Sequence, residues 1–173
     1  SPRAYGGESH TERVTARHER LLEAGLELIG TEGRSAATVR AVCATSGLSQ
    51  RYYYESFRDA EDLLTQVYQR QIARLEAAIL GSVQPGQSLS QQVRRAADAY
   101  FTTIRADPRL GRVVLFEVLG VSPEVDALHR AGRQRFEGVV SALITSGLPA
   151  HAGPRLDLAV LSQAVVGAMV TVA

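Results

Sequence analysis

Apolar and polar positions follow a helical rhythm along most of the chain. From residue 12 to residue 33, apolar or small residues recur at Val14, Leu21, Leu22, Gly25, Leu28 and Ile29. This is the three-and-four spacing of an amphipathic helix, and Gly33 can end it. Thr38 then precedes Val39, Val42 and Cys43, a short second helix with a hydroxyl N-cap, stopped by Gly47 where a positive φ is easily supplied. Leu48 is expected to plug the core at the turn, and Ser49 to cap a third helix of about two turns ending near Phe57. A longer helix follows from Asp59, with the acidic first turn that the macrodipole favours, and runs through Leu63, Leu64, Val67, Tyr68, Ile72, Leu75 and Ile79. Beyond Gly81 and Pro85-Gly86, residues 89–106, 108–121, 123–146 and 154–173 keep the helical period, and each break carries Pro or Gly. No window alternates as a strand. The expected class is all-α: a flexible polar arm over residues 1–11, three small helices over 12–58, and a larger helical body over 59–173.

Composition adds mostly exclusions. A chain of 173 residues, 45% hydrophobic and 21% charged, has the makeup of a globular protein and indicates neither disorder nor membrane insertion. The longest apolar tract, 158–173, is interrupted by Ser162 and Gln163 and falls short of a span. One cysteine excludes an intramolecular disulfide, and the absence of a signal-like start makes the cytoplasm the expected location. The net charge of +1 announces no nucleic-acid partner, and residues 1–58 hold eight arginines against seven acids. All nineteen basic residues are arginine, best explained by a compositional bias of the source genome.

Against this ordinary background the run Tyr52-Tyr53-Tyr54, beside Arg51 and just after a Gly-Leu-Ser turn, is unusual. Two short helices flanking a tight glycine turn form a helix-turn-helix, whose second helix enters the major groove. Neighbours on a helix sit about 100° apart, so the three tyrosines have different roles. Tyr53 and Phe57, four apart, are placed on the buried side with Val42 and Leu48. Gln50, Arg51 and Tyr54 fall on the outer side and Tyr52 at its edge. There Arg51 can grip guanine bidentately, Gln50 can read adenine, and the Tyr54 hydroxyl can hold a phosphate. The plainer reading of such a run is core plus amphipathic edge.

The stretches LLEAGLELIGTEG and ATVRAVCATSGLSQRYYYESFRDAEDLL resemble the N-terminal domain of the TetR (tetracycline repressor) family of transcriptional regulators, over residues 13–64. The resemblance implies that Thr38 caps the second helix and meets a phosphate, and that Arg40 contacts a base or the backbone. It makes Ser49, Gln50, Arg51 and Tyr52 the reading segment and Tyr54 a phosphate-binding tyrosine. Three positions depart from the family pattern. Arg51 stands where Gly or Ala is usual, Ala60 where a lysine is common, leaving Arg58 as a substitute phosphate contact, and Glu55 where His is frequent. A carboxylate there is repelled by phosphates unless it is paired.

The resemblance also implies that the remainder is a ligand-binding and dimerisation domain. Tyr68, Tyr100, Phe101, Ile104, Leu115, Phe116, Leu119 and Phe136 are candidate walls of an apolar cavity, with core packing as the alternative, and Glu117 and His129 are candidate polar groups that orient a ligand, with an exposed or locally paired side chain as the favoured alternative. An uncharged or amphipathic effector is expected, with no cofactor. The four histidines show no metal-ligand spacing, no nucleophile elbow or P-loop is present, and Cys43 sits on the apolar side of its helix, so catalysis has little support. Residues 158–173, LAVLSQAVVGAMVTVA, are apolar nearly all round and are expected to build a homodimer interface, with either a further helix beyond residue 173 or a reduced interface. The leading functional expectation is a repressor, released from a palindromic double-stranded DNA operator when a small molecule changes the separation of two reading helices. The alternative is a helical enzyme or protein-binding module that keeps the domain shape without binding an operator.

Overall fold

The computed structural model describes residues 9–147, and among them every regular element is helical. In order these are α1 (His10–Glu32), a 3-10 turn (Arg34–Ala36), α2 (Val39–Ser46), α3 (Gln50–Ser56), α4 (Ala60–Ser82), α5 (Leu89–Ala106), α6 (Pro108–Arg112) running into a π turn (Val113–Glu117), and α7 (Pro123–Gly147). The all-α expectation holds over this span. The expected helix over 154–173 and the first eight residues of the expected arm lie outside the described residues. Two compact units, Ser1–Val67 and Tyr68–Ala173, divide within α4, whereas the expected boundary falls at its start.

In the first unit, α1 begins at His10 and not at residue 12. Ser9 and Glu12 form a reciprocal capping box, the Ser9 hydroxyl accepting from the Glu12 N–H at 3.1 Å and the Glu12 carboxylate from the Ser9 N–H. The expected arm therefore ends two residues early. Leu21, Leu26 and Ile29 of α1 are buried with Val42 of α2, Tyr53 of α3, and Leu63 and Val67 of α4. Val14, expected on the same face, is 43% exposed because it lies about two turns before Leu21, where this core begins. Gly25 permits the close approach: a Cβ there would stand 2.9 Å from Leu63 Cδ1. Thr38 caps α2, its hydroxyl accepting from the Ala41 N–H at 3.2 Å. Gly47, at φ 66°, ends α2 in a Schellman arrangement with Gly47 N–H on the Ala44 carbonyl and Leu48 N–H on the Cys43 carbonyl. Arg20 secures the same turn by donating to the Ser46 carbonyl at 2.6 Å.

In the second unit, α5 starts at a Ser88–Gln91 capping box and its end is held by Asp107. That carboxylate accepts from Arg109 Nε at 2.8 Å and from Arg74 Nη1 of α4 at 3.0 Å. Arg109 foremost, then Arg74, holds the Asp107 carboxyl below its ordinary range against the opposing effect of burial. The single helix expected over 108–121 is instead broken. It widens into the π turn and ends at Gly120, at φ 65°, whose N–H donates to Asp126 of α7.

Candidate nucleic-acid interface and ligand cavity

α3 is held by its apolar side. Tyr53 is fully buried and Phe57 is 2% exposed; their rings lie 5.3 Å apart, and His18 of α1 packs on Phe57 at 5.2 Å. The Tyr53 hydroxyl donates to the Asp59 carbonyl at 3.2 Å, and burial pushes its pKa up to about 12, so it stays a neutral donor. The anchoring leaves Ser49, Gln50, Arg51 and Tyr54 exposed, with Tyr54 at 61%. The three tyrosines thus take the separate roles their spacing predicts: one buried, one outward, and Tyr52 half-covered at the edge. A feature the sequence reading missed lies over Tyr52, the Arg17 guanidinium of α1 at 4.4 Å from the ring centroid. Its signal, an arginine on the polar side of α1, could not be assigned a partner without the packing.

Other expected positions need adjustment. Ser49 occupies the N-cap position of α3, yet its side chain makes no capping hydrogen bond. The Leu48 side chain is only partly covered, so the core at the turn is closed chiefly by Val42, Tyr53 and Phe57. Thr38 and Arg40 are exposed at the start of α2, and Arg58 is exposed beside Asp62, with Nε 3.5 Å from the carboxylate. The two departures from the family pattern in α3 meet each other: Arg51 Nε donates to Glu55 Oε1 at 2.8 Å.

The second unit holds a partly open cavity of about 220 Å³. Ile72, Leu75, Val114, Leu115, Leu119 and Phe136 provide most of its wall, and Tyr68, Tyr100 and His129 join them. Tyr68 Oη lies 3.4 Å from His129 Nδ1. Burial pushes the Tyr68 hydroxyl up to about 12 and, with Arg133, lowers the His129 imidazole below its ordinary range. Near neutral pH the pair is therefore a phenol and a neutral imidazole, two hydrogen-bonding groups without charge in a mostly apolar wall that Glu76 and Arg133 also join. Gly132 makes room for them, since a Cβ there would sit 2.7 Å from Tyr68 Oη.

Four candidates fall outside this wall. Phe101 packs edge-on against Tyr100 at 5.2 Å instead of lining the cavity. Ile104, Phe116 and Glu117 border a separate surface depression beside the π turn, which rotates Phe116 outward to 64% exposure. Glu117 is engaged by Arg112 Nε at 2.9 Å, the local pairing that was its alternative role. Ile72, Leu75, Glu76, Val114, Gly132 and Arg133 line the cavity and were not foreseen there. A glycine in mid-helix was the available signal for Gly132. No helix among the described residues is long and apolar enough to cross a membrane, and none of their His, Cys, Asp and Glu side chains group in threes that could hold a metal.

Comparison with known proteins gives these features a context. No family sequence profile matches the chain. It is 26% identical over 153 residues, 86% of its length and 70% of the relative's, to the HTH-type transcriptional activator FasR of Mycolicibacterium smegmatis. A bacterial regulatory protein of the TetR family from Rhodococcus RHA1 superposes with a TM-score of 0.76 at 22% identity, covering 90% of this chain and 82% of that one. The transcriptional regulator FadR from Bacillus subtilis, solved in complex with stearoyl-CoA, gives 0.80 at 15% identity, covering 89% and 83%. The helix-turn-helix unit and the larger helical unit together have the fold of the TetR-family transcriptional regulators.

Proposed function

We propose that this chain is a DNA-binding transcription regulator that reads a palindromic operator as a homodimer and is controlled by an amphipathic small molecule held in the helical unit. One observation carries the reading. α3 is anchored through Tyr53 and Phe57 while Gln50, Arg51 and Tyr54 stand exposed on the other side, the division of labour that a recognition helix needs. Arg51 is the candidate donor to guanine, Gln50 the candidate reader of adenine, and Thr38, Arg40, Ser49, Tyr52, Tyr54 and Arg58 the candidates for positioning on the backbone. The similarity to FasR supports DNA binding.

The apolar cavity with its neutral Tyr68–His129 pair supports an effector with a long apolar part and a polar end. The stearoyl-CoA bound by FadR of Bacillus subtilis makes an acyl thioester the first candidate. Ligand entry would spread the helices around the cavity and lower operator affinity by altering the spacing of the two reading helices. Whether release raises or lowers transcription depends on where the operator lies relative to the promoter; a repressor is the reading proposed. Dimerisation is assigned to residues 158–173 on their apolar sequence alone. The test is a fluorescence titration of duplexes selected by the purified chain, with and without a series of acyl-CoA thioesters of rising chain length. Tight binding that a subset of the series weakens supports the reading. Binding that ignores every thioester defeats the acyl assignment, and absence of any duplex preference defeats operator recognition.

A further inference from the structure

The Arg51–Glu55 pair is hard to explain as a support for its own helix. Both side chains are well exposed, at 83% and 47%. Arginine precedes the acid by four residues, the less favourable order for an i,i+4 pair, and the carboxylate sits near the C-terminal end of a seven-residue helix, where the macrodipole opposes it. What the pair can do is bias the direction of the guanidinium. Glu55 takes Nε of the guanidinium, and the two terminal nitrogens of Arg51 hold no other partner among the described residues. Those nitrogens form the end-on fork that matches the O6 and N7 acceptors of guanine.

Resting on the DNA-binding reading above, we propose that Glu55 is a specificity-determining residue that acts through Arg51. It points the Arg51 fork at a base edge and withholds that charge from the phosphates. An unpaired arginine on this face could swing to either backbone strand and would bind every sequence alike. Paired, it delivers its charge only where a guanine accepts both terminal nitrogens. At any other base the Glu55 carboxylate is brought toward the phosphates with no compensating hydrogen bonds. Discrimination arises by weakening the wrong complexes as much as by strengthening the right one. Removal of the carboxylate is therefore expected to tighten binding to the wrong sequences.

The experiment compares wild type, Glu55→Gln, Arg51→Ala and the double variant of the full chain. Duplexes are those selected by the wild type from a random library, the same duplexes with the preferred guanine replaced, and scrambled ones, each titrated over a range of salt. Glu55→Gln should tighten the scrambled duplex about threefold or more and steepen the slope of log K against log salt by about 0.9 for each phosphate that a freed Arg51 neutralises. It should also reduce the preference for guanine about fivefold or more. In the Arg51→Ala background the same change should leave base preference unaltered, and Glu55→Asp should restore part of it. Thermal melts of all variants report that folding is intact. Unchanged discrimination in Glu55→Gln, or an equal effect with and without Arg51, overturns the proposal while leaving DNA recognition standing. A wild type that selects no sequence overturns the DNA-binding reading itself, and this proposal with it.

Discussion

Replacing Gly132 by alanine tests how tightly the cavity wall is built. In the middle of α7 this change, free of contacts, should stabilise the helix by about 0.8–1.0 kcal/mol, because glycine loses more backbone freedom on folding. The new methyl would however stand 2.7 Å from Tyr68 Oη, well inside the 3.4 Å at which ordinary contact begins. Tyr68 is 1% exposed and its ring is rigid, so the hydroxyl cannot fold out of the way into solvent. Overpacking of this kind costs about 1–3 kcal/mol. The balance is a loss of about 0–2 kcal/mol. In a Tyr68→Phe background the obstructing oxygen is gone, and the next atom, the ring carbon that bore it, is 3.8 Å away, an ordinary contact. There Gly132→Ala should stabilise by the full helical increment of about 0.8–1.0 kcal/mol. Urea unfolding of the four proteins, with midpoints compared at equal slope, gives the cycle directly. An identical effect of Gly132→Ala in both backgrounds would refute the reasoning.

Phe57→Ala removes the second anchor of α3 and should cost about 3–5 kcal/mol, read as a lowered melting temperature, with DNA binding lost through the helix's displacement. Gly47→Ala forces a β-carbon into φ 66° and should cost about 1–2 kcal/mol by chemical denaturation, a loss that Gly47→Asn should partly avoid. Two groups contribute to the acid limb of stability, beside the Asp62 carboxyl, which against the effect of burial is held down by Arg58 and Gln66. The folded-state pKa of His129 lies below its ordinary value of 6.5, so the unfolded chain takes the proton first, and stability, full above that pH, falls as acid is added until the folded form also titrates. The Asp107 carboxyl, held below 3.8, contributes stability present above that value and lost as pH drops beneath it. Unfolding midpoints measured from neutral to acid pH should show both losses, the first absent in His129→Gln and the second reduced in Asp107→Asn, where Asp62 still titrates.

How much of this was legible in the sequence depends on the range of the interactions involved. Helix order, the Thr38 cap and the Gly47 turn were readable because each is decided by residues within a few positions of one another. So was the division of Tyr52, Tyr53 and Tyr54, since helical geometry alone forces successive side chains apart. The start of α1 falls earlier than its apolar pattern indicates, because the Ser9–Glu12 capping box sets it among polar residues that carry no apolar period. The cavity was partly legible: Tyr68, Tyr100, Leu115, Leu119, His129 and Phe136 line it, while Phe101, Ile104, Phe116 and Glu117 do not. Phe116 and Glu117 were misplaced by the π turn, which adds a residue to one turn and rotates the side chains beyond it, a change no regular period foretells. Arg17 over Tyr52 joins elements distant in sequence and needed the packing to be seen.

The central claim is that α3 reads DNA through Arg51 and its exposed neighbours, and selection of bound fragments from random duplexes by the purified full chain tests it most directly. The account predicts a two-fold symmetric motif with a guanine in each half-site and half-site centres about 34–36 Å apart, one helical turn, or a multiple of that. Arg51→Ala should lose the guanine while keeping the rest of the motif, and Tyr54→Phe should weaken all sequences alike without changing it. Failure to enrich any motif, or a motif that keeps its guanine when Arg51 is removed, would contradict the claim.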